Sequence, residues 1–132
     1  MLITRANPER HRLIIHLLVL IPVGLAVKYA LPEPLAGWGM RYGAAILYEI
    51  FWILMLRLIF AGWSPLRCAV TVFFATSLLE VLQLWHPFWL EWLRSHFLGR
   101  VLLGTSFDPV DFVYYFVGSA AGFGYVRRLM KP

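Results

Sequence analysis

The chain has 132 residues, of which 61% are hydrophobic, 17% aromatic and only 14% charged, whereas roughly a quarter of the residues in an average soluble domain are charged. This composition excludes a water-soluble domain, which could not hide so much apolar surface, and indicates an integral membrane protein. The net charge of +5 does not indicate nucleic-acid binding, because the basic residues flank the apolar runs and form no basic stripe. The single cysteine, Cys68, excludes a disulfide framework within one chain.

The first apolar run predicts a membrane-spanning helix at about 13–30. Three arginines precede this run, as in a signal peptide, but cleavage after Ala30 would place Lys28 at a position that requires a small residue. We therefore expect a retained first helix.

Two further apolar runs predict the second and third spanning helices, at about 44–60 and 66–85. A segment rich in proline and glycine, 32–37, separates the first helix from the second. A tight loop at 62–65 joins the second helix to the third.

The segment 87–103 has a different pattern. Glu91, Arg94 and Ser95 share one helical face, while aromatic and leucine side chains point elsewhere, which is typical of a short helix in the membrane interface. A segment of this length is also compatible with a re-entrant turn, and both alternatives stay open.

The sequence Asp-Pro-Val-Asp at 108–111 has the residue types of an N-cap, Asp108, and the first three positions of a helix. It predicts a fourth spanning helix at about 111–127. The expected fold is therefore all-α, with one membrane domain over 1–132. This domain is a four-helix transmembrane bundle with a short interfacial or re-entrant helix between helices 3 and 4.

The distribution of lysine and arginine predicts the orientation of the bundle. With the N-terminus inside, eight of the twelve basic residues lie on the inner side and four on the outer side. The inner set is Arg5, Arg10, Arg12, Arg57, Arg67, Arg127, Arg128 and Lys131, and the outer set is Lys28, Arg41, Arg94 and Arg100. We therefore expect both termini in the cytoplasm.

Two carboxylates, Glu49 and Glu80, fall inside apolar helices, where an ionised group costs roughly 2.5 kcal/mol or more. In the predicted topology both lie at matching depth, about five residues or on the order of 7 to 8 Å below the outer boundary. Thr76, Glu80 and Gln83 follow each other at helical spacing, so they form one polar stripe that should face the bundle interior.

The fourth helix begins with Asp111 at the same outer end, and the arginines of segment 87–103 are placed to neutralise these acids. The sequence thus predicts an outward-facing polar pocket. Its candidate ligand-binding residues are Glu49, Glu80, Gln83, Arg94, Arg100, Asp111 and Tyr115. The alternative is structural: Glu80 pairs with an arginine or stays protonated, Gln83 bonds a neighbouring backbone group, and Asp111 caps its helix.

Other motifs carry little chemistry. His86 near Glu80 lacks the ligand spacing of a zinc site, so we expect neither a metal nor another cofactor. Ser95 next to His96 cannot face it along a helix, so no catalytic residue is identified and a non-enzymatic role is favoured over an enzyme.

The stretch from Leu47 to Gly122, with LYEIFW, LEVLQLWHPFWLEWLR and LLGTSFDPVDFVYYFVG, resembles the small bacterial membrane proteins of domain-of-unknown-function family 2809. The residues that carry this resemblance are Glu80, Gln83, Leu90, Arg94, Gly104, Phe107, Asp111, Tyr115 and Gly118. Many members of that family have an aspartate near the start of the second helix, where this chain has Ala44 and offers Glu49 instead.

That family is in turn similar to VanZ-like proteins. Their pattern is a glutamate and a glutamine on one helix, an arginine, and an aspartate that leads a glycine-containing helix. It is matched by Glu80, Gln83, Arg94 or Arg100, Asp111, Gly118 and Gly122. Many VanZ-like members have an asparagine after the aspartate, where this chain has Tyr114 or Tyr115. Because VanZ-like proteins are associated with teicoplanin resistance, the resemblance implies a cell-envelope protein of the bacterial cytoplasmic (inner) membrane.

The first functional hypothesis is a binding or accessory protein in the lipid bilayer, whose outer pocket recognises the headgroup of a lipid or lipid-linked envelope intermediate. One alternative is proton or cation transport through Glu49 and Glu80. Others are a lipid-modifying enzyme and a helper subunit whose polar cluster only locks the helices together. Gly118 and Gly122 form a GxxxG pair that lets another helix approach closely, as in a homo-oligomer or a larger membrane complex.

Overall fold

The computed structural model describes residues 8–103 and 108–130, and this part of the chain forms six helices and no strand. The helices are α1 (Pro8–Tyr29), α2 (Ala36–Ile59), α3 (Pro65–Leu82), α4 (Phe88–Arg94), α5 (Phe97–Leu103) and α6 (Asp111–Met130). The all-α prediction is confirmed. Some of the expectations rest on Arg5, Gly104, Phe107 and Lys131, which lie outside the described residues.

Three helices, α1, α2 and α3, are long and apolar enough to cross a membrane. Helix α6 has 20 residues but is not among them, because glycines, tyrosines and two arginines near its end lower its hydropathy. Within the described residues, length and composition thus support three crossings rather than the predicted four.

Helix α2 begins at Ala36, about two turns before the predicted start at 44. The glycines of this segment do not end the helix, because Gly39–Gly43 form a π-helical turn within it. At the other junction Ser64 caps α3, where its hydroxyl accepts a hydrogen bond from the Arg67 backbone N–H at 3.1 Å.

Helix α2 is the centre of the bundle and packs against α1, α3 and α6, while α6 also packs against α3. Helices α1 and α3 make at most marginal contact with each other. The apolar core lies toward the end of the bundle where α1 and α3 begin. Its buried members are Leu13, Leu17, Ile50, Ile53, Leu54, Cys68, Ala69, Val72 and Val126.

The GxxxG pair of α6 lies in close contact with α2. A Cβ atom added to Gly118 would lie 2.8 Å from the Cβ of Glu49, and one added to Gly122 would lie 2.5 Å from Cδ1 of Ile53. Both neighbours belong to α2. The pair therefore packs two helices of the same chain together.

The segment 87–103 contains two short helices, α4 and α5, where the sequence predicted one. The Ser95 hydroxyl donates to the Trp92 carbonyl and ends α4. Helix α5 turns back tightly, because a Cβ atom on Gly99 would lie 1.7 Å from the Leu93 carbonyl oxygen. The two helices expose large apolar side chains, of which Phe88 is 87% exposed.

Candidate functional site

A cavity of about 710 Å³ lies where α1 and α3 end and where α2 and α6 begin. We call this end of the bundle the cavity end, and the other the opposite end. Helix α2 forms the floor of the cavity, and its walls are α1 on one side and α3 with α5 on the other. Helices α1 and α3 both contribute to the lining, although they make at most marginal contact with each other.

The lining of the cavity combines charged, polar and apolar side chains. The charged members are Lys28, Arg41, Arg100, Asp108 and Asp111. The uncharged polar members include Tyr48, Thr76, Gln83 and Tyr115, and the apolar members include Leu20, Ile21, Leu25, Leu47, Phe51 and Leu79. Four of the seven predicted site residues thus line the cavity, whereas Glu49, Glu80 and Arg94 do not.

The three cations of the lining have no acidic partner. All seven acidic side chains of the chain lie among the described residues, and none of them is within ion-pair distance of Lys28, Arg41 or Arg100. Within the described ranges, the Arg100 guanidinium donates to the Ser95 carbonyl, at 3.1 Å. The cavity therefore presents three cations without a salt bridge in the described part of the protein, of which Arg41 interacts with Asp111 from a longer distance.

Glu80 is fully buried and ties α3 to the start of α6. Its Oε1 accepts a hydrogen bond from the Asp108 backbone N–H at 2.7 Å, and its Oε2 accepts one from the Tyr115 hydroxyl at 2.9 Å. No arginine pairs with Glu80 among the described residues. The Asp111 carboxyl group lies close enough to interact directly with that of Glu80.

Asp108 has the capping role that the sequence predicts. Its Oδ1 accepts a hydrogen bond from the Val110 backbone N–H at 3.0 Å, although regular α-helix begins only at Asp111. Its Oδ2 accepts a second bond from the Tyr42 hydroxyl, at 3.1 Å. Asp108 therefore both caps α6 and joins it to the first turns of α2.

Glu49 lies deeper than Glu80, so the prediction of matching depth is wrong. The Glu49 carboxyl group accepts a hydrogen bond from the Ser119 hydroxyl at 2.7 Å and lies beside Thr76. Ser119 lies one helical turn, or about 6 Å, farther from the cavity end than Tyr115, and Thr76 lies one turn farther than Glu80 itself. The cause is the earlier start of α2, which moves Glu49 away from the end of the bundle.

Gln83 follows the structural alternative. Its side chain is only 6% exposed, and its Nε2 donates to the Leu103 carbonyl at 2.9 Å, which joins α3 to α5. Its Oε1 has no hydrogen-bond partner among the described residues. Gln83 is thus a structural link that also contributes an unused acceptor to the cavity wall.

Arg94 is placed away from the acids of α3 and α6. It is 5% exposed, and its guanidinium donates to the Leu82 and Trp85 carbonyls at 3.1 and 3.0 Å. A third bond, at 2.7 Å, joins it to Glu91. Hydrogen bonds from His86 and then from Arg94 hold the pKa of the Glu91 carboxyl below its usual value. Arg94 therefore caps the carboxyl end of α3.

The family described as "Protein of unknown function (DUF2809)" matches residues 35–119, more than half of the chain. The chain belongs to this family. No curated protein and no solved structure matches it. The DUF2809 segment includes all seven predicted site residues, but it leaves α1 outside.

Part of the cavity therefore lies beyond the DUF2809 segment. Helix α1 supplies Lys28 and one apolar wall of the cavity. The sequence predicted no site residue in this helix. In the sequence, Lys28 and Arg41 served mainly to predict the orientation of the bundle in the membrane. The feature that could have marked them is their place on the side of the bundle that carries the fewer basic residues. The described residues contain no group of three or more His, Cys, Asp or Glu side chains suited to a metal ion.

Proposed function

We propose that this DUF2809 protein binds a membrane lipid, or a lipid-linked intermediate of the bacterial cell envelope, in an accessory role. The observation that carries the proposal is the cavity of about 710 Å³, which joins a charged mouth to apolar walls. Ligand pockets typically measure about 300–1,000 Å³ and combine an apolar lining with a few polar groups. A lipid headgroup with the first part of its tail has the same distribution of polarity.

The shape of the cavity supports entry from the bilayer. Its two walls, α1 and α3, make at most marginal contact, and α2 lies between them as the floor. A lipid can therefore move sideways between these helices without leaving the membrane. A water-soluble ligand would not need such a lateral opening.

The orientation in this proposal has four crossings, both termini in the cytoplasm, and the cavity at the outer face of the inner membrane. As the fourth crossing, the 20 residues of α6 extend about 30 Å, which is the thickness of the hydrocarbon core. Val113, Phe116 and Val117 give this helix an exposed apolar face. Its packing against both α2 and α3 also supports a spanning position.

For α4 and α5 we propose a position in the membrane interface. Their exposed Phe88, Trp89 and Trp92 suit the boundary between headgroups and hydrocarbon. The hydrogen-bonded side chains of His86 and Glu91 are 58% and 49% exposed, so these polar groups need contact with water or headgroups. This pair favours the interfacial alternative over a re-entrant one.

The apolar core favours binding over conduction. Toward the opposite end from Glu49, the central helix continues with the buried Ile50, Ile53 and Leu54. A conducting protein needs polar or charged sites along its whole route. A layer of buried apolar side chains therefore separates the acids at the cavity end from the opposite end.

The proposal is tested by the lipids that purified protein retains in mild detergent, measured by native mass spectrometry. We expect the double variant Arg41→Ala/Arg100→Ala to retain about tenfold less phospholipid. Two charge-assisted hydrogen bonds of roughly 1.5–3 kcal/mol each exceed the 1.4 kcal/mol that corresponds to a tenfold change. The matched control is Arg128→Ala, an exposed arginine at the opposite end.

Equal retention by the wild type and the double variant would contradict lipid binding in this cavity. An equal loss of lipid from Arg128→Ala would show that general surface charge, and not the cavity, causes the retention. Chemical turnover of the retained lipid by the wild type would instead favour the lipid-modifying enzyme.

A further inference from the structure

Resting on this proposed function, we infer that the bound headgroup is zwitterionic, with a phosphate held by Lys28, Arg41 and Arg100 and a primary ammonium held by Asp108 and Asp111. Such a headgroup belongs to an aminophospholipid. The five residues line one cavity and carry charges of opposite sign. We call Lys28, Arg41 and Arg100 the basic pole of the cavity, and Asp108 and Asp111 its acidic pole.

The basic pole comes from three separate helices. Lys28 lies near the end of α1, Arg41 in the π-helical turn of α2, and Arg100 in α5. None of them has an acidic partner among the described residues, which include every acidic side chain of the chain. Cations that line one cavity without a salt bridge suit a phosphate, which arginine binds through its fork of N–H donors.

The acidic pole comes from the start of α6. Asp108 and Asp111 both line the cavity, and Asp111 interacts directly with the buried Glu80. No lysine, arginine or histidine is within ion-pair distance of these three acids in the described part of the chain. Two adjacent carboxyl groups repel each other when both are ionised, and the cation that acts on Asp111, Arg41, does so from beyond ion-pair distance. A ligand ammonium supplies a cation at ion-pair distance.

Gln83 adds an independent sign that the ligand carries hydrogen-bond donors. Its Nε2 donates to the Leu103 carbonyl, which fixes the orientation of the amide. Its Oε1 therefore points away from that bond as an acceptor. This oxygen has no donor among the described residues, although Gln83 is only 6% exposed. A buried acceptor without a donor costs free energy, and a donor on the ligand would remove this cost.

The charges of the cavity also disfavour a purely anionic headgroup. A lipid with phosphate and hydroxyl groups alone would satisfy Lys28, Arg41 and Arg100 but leave Asp108 and Asp111 without a cation at ion-pair distance. A quaternary ammonium would supply the charge but has no N–H to donate to carboxylate oxygens. The primary ammonium is the group that supplies both, so the cavity should select it over these two competitors.

The experiment offers the full-length protein three lipids in equal amounts, in mixed vesicles that are then solubilised. They are phosphatidylethanolamine, phosphatidylglycerol and phosphatidylcholine, which share the phosphate and differ in what it carries. Native mass spectrometry measures the ratio of retained lipids. We expect about tenfold enrichment of phosphatidylethanolamine over each competitor, the ratio expected from one additional charge-assisted contact.

The variant Asp111→Asn should lower this ratio toward one, while the total amount of retained phospholipid stays within about twofold of the wild type, because the phosphate contacts remain. Its matched control is Glu33→Gln, an exposed acid before α2 that does not line the cavity. The wild-type ratios need no variant, so the inference is testable even if Asp111→Asn fails to fold.

The outcomes separate the inference from the proposed function. Equal retention of all three lipids by the wild type, with loss of all three in Arg41→Ala/Arg100→Ala, would overturn the zwitterionic headgroup and leave lipid binding intact. Retention of phosphatidylcholine equal to that of phosphatidylethanolamine would overturn the primary ammonium. Absence of any retained phospholipid would overturn both the inference and the proposed function.

Discussion

At the opposite end of the bundle Arg57 is almost completely buried, and it has an acidic partner. Its Nε donates to Glu9 at 2.7 Å, and its Nη1 donates to the carbonyls of Ala61 and Trp63. At the cavity end, in contrast, Arg41 and the other basic residues of the lining have no acidic partner among the described residues. The basic residues at the two ends of the bundle thus differ in whether they form salt bridges within the protein.

The difference separates groups that hold the fold from groups that are available to a ligand. A charge in or near a membrane is costly, and pairing within the protein offsets that cost. Where the pairing is complete, as for Arg57, the charge fixes one helix end against the next loop. Where it is absent, an outside group of opposite charge gains the full interaction. The cavity end is therefore the end at which binding is expected.

The largest expected effect is at the paired end. Arg57→Met keeps most of the side-chain volume but leaves Glu9 and the two loop carbonyls without their shared donor. Breaking a buried ion pair by removing one partner costs about 3–5 kcal/mol, and the 26% exposure of the Glu9 side chain places this pair at the lower end of that range. We expect a loss of that size in the free energy of unfolding, measured by chemical denaturation in detergent, with lipid retention per folded molecule unchanged.

The matched control for that prediction is Arg67→Met. Arg67 lies at the same end, is exposed, and stacks on the Trp63 ring at 4.1 Å. Such an exposed contact is worth about 0.5–1 kcal/mol. Equal losses of unfolding free energy in the two variants would show that the burial of Arg57 adds nothing to stability. The contrast between the two ends would then be wrong.

The second prediction concerns the contact between the central helix and α6. In Gly118→Ala the new methyl group would lie 2.8 Å from the Glu49 Cβ and 3.0 Å from the Ile46 carbonyl oxygen. Neither atom is the free end of a flexible side chain, so the helices must separate, and overpacking of this kind costs about 1–3 kcal/mol. Thermal unfolding in detergent should show a lower midpoint.

Gly124→Ala is the control on the same helix, because nothing lies within 4 Å of the position of its added Cβ atom. Replacing a helical glycine by alanine should stabilise the protein by up to about 1 kcal/mol. A sequence argument from GxxxG would treat Gly118 and Gly122 as a surface for another chain, whereas this pair of variants tests packing within one chain. A stable Gly118→Ala protein that no longer self-associates would reverse that assignment.

The sequence was sufficient for the helices that consist of uninterrupted apolar runs. The third helix, predicted at 66–85, is observed as Pro65–Leu82, and its stripe of Thr76, Glu80 and Gln83 does face the interior. Periodicity determines such a stripe locally, because residues three and four apart share one helical face. The same local information revealed Asp108 as a cap.

The sequence was insufficient wherever the outcome depends on contacts between distant segments. The start of α2 at Ala36 results from a π-helical turn that carries the helix through a glycine-rich segment, and this shift alone moved Glu49 to a greater depth. Arg94 bonds the carbonyls at the end of α3, and no residue pattern distinguishes this role from anion binding. The cavity itself depends on the gap between α1 and α3.

The smallest expected effect tests whether Glu49 belongs to the fold or to the site. Ser119→Ala removes the hydroxyl that donates to the buried Glu49 carboxyl group at 2.7 Å, which should cost about 0.5–1.5 kcal/mol of unfolding free energy, the net contribution of one hydrogen bond, because Thr76 remains beside this carboxyl group. Ser77→Ala is the control, since the Ser77 hydroxyl is buried and has no partner among the described residues, so its removal should be neutral or stabilising. Because Glu49 does not line the cavity, lipid retention should be the same in both variants. A loss of lipid in Ser119→Ala without a loss of stability would extend the binding site one helical turn deeper and weaken the division of the molecule into a paired and an unpaired end.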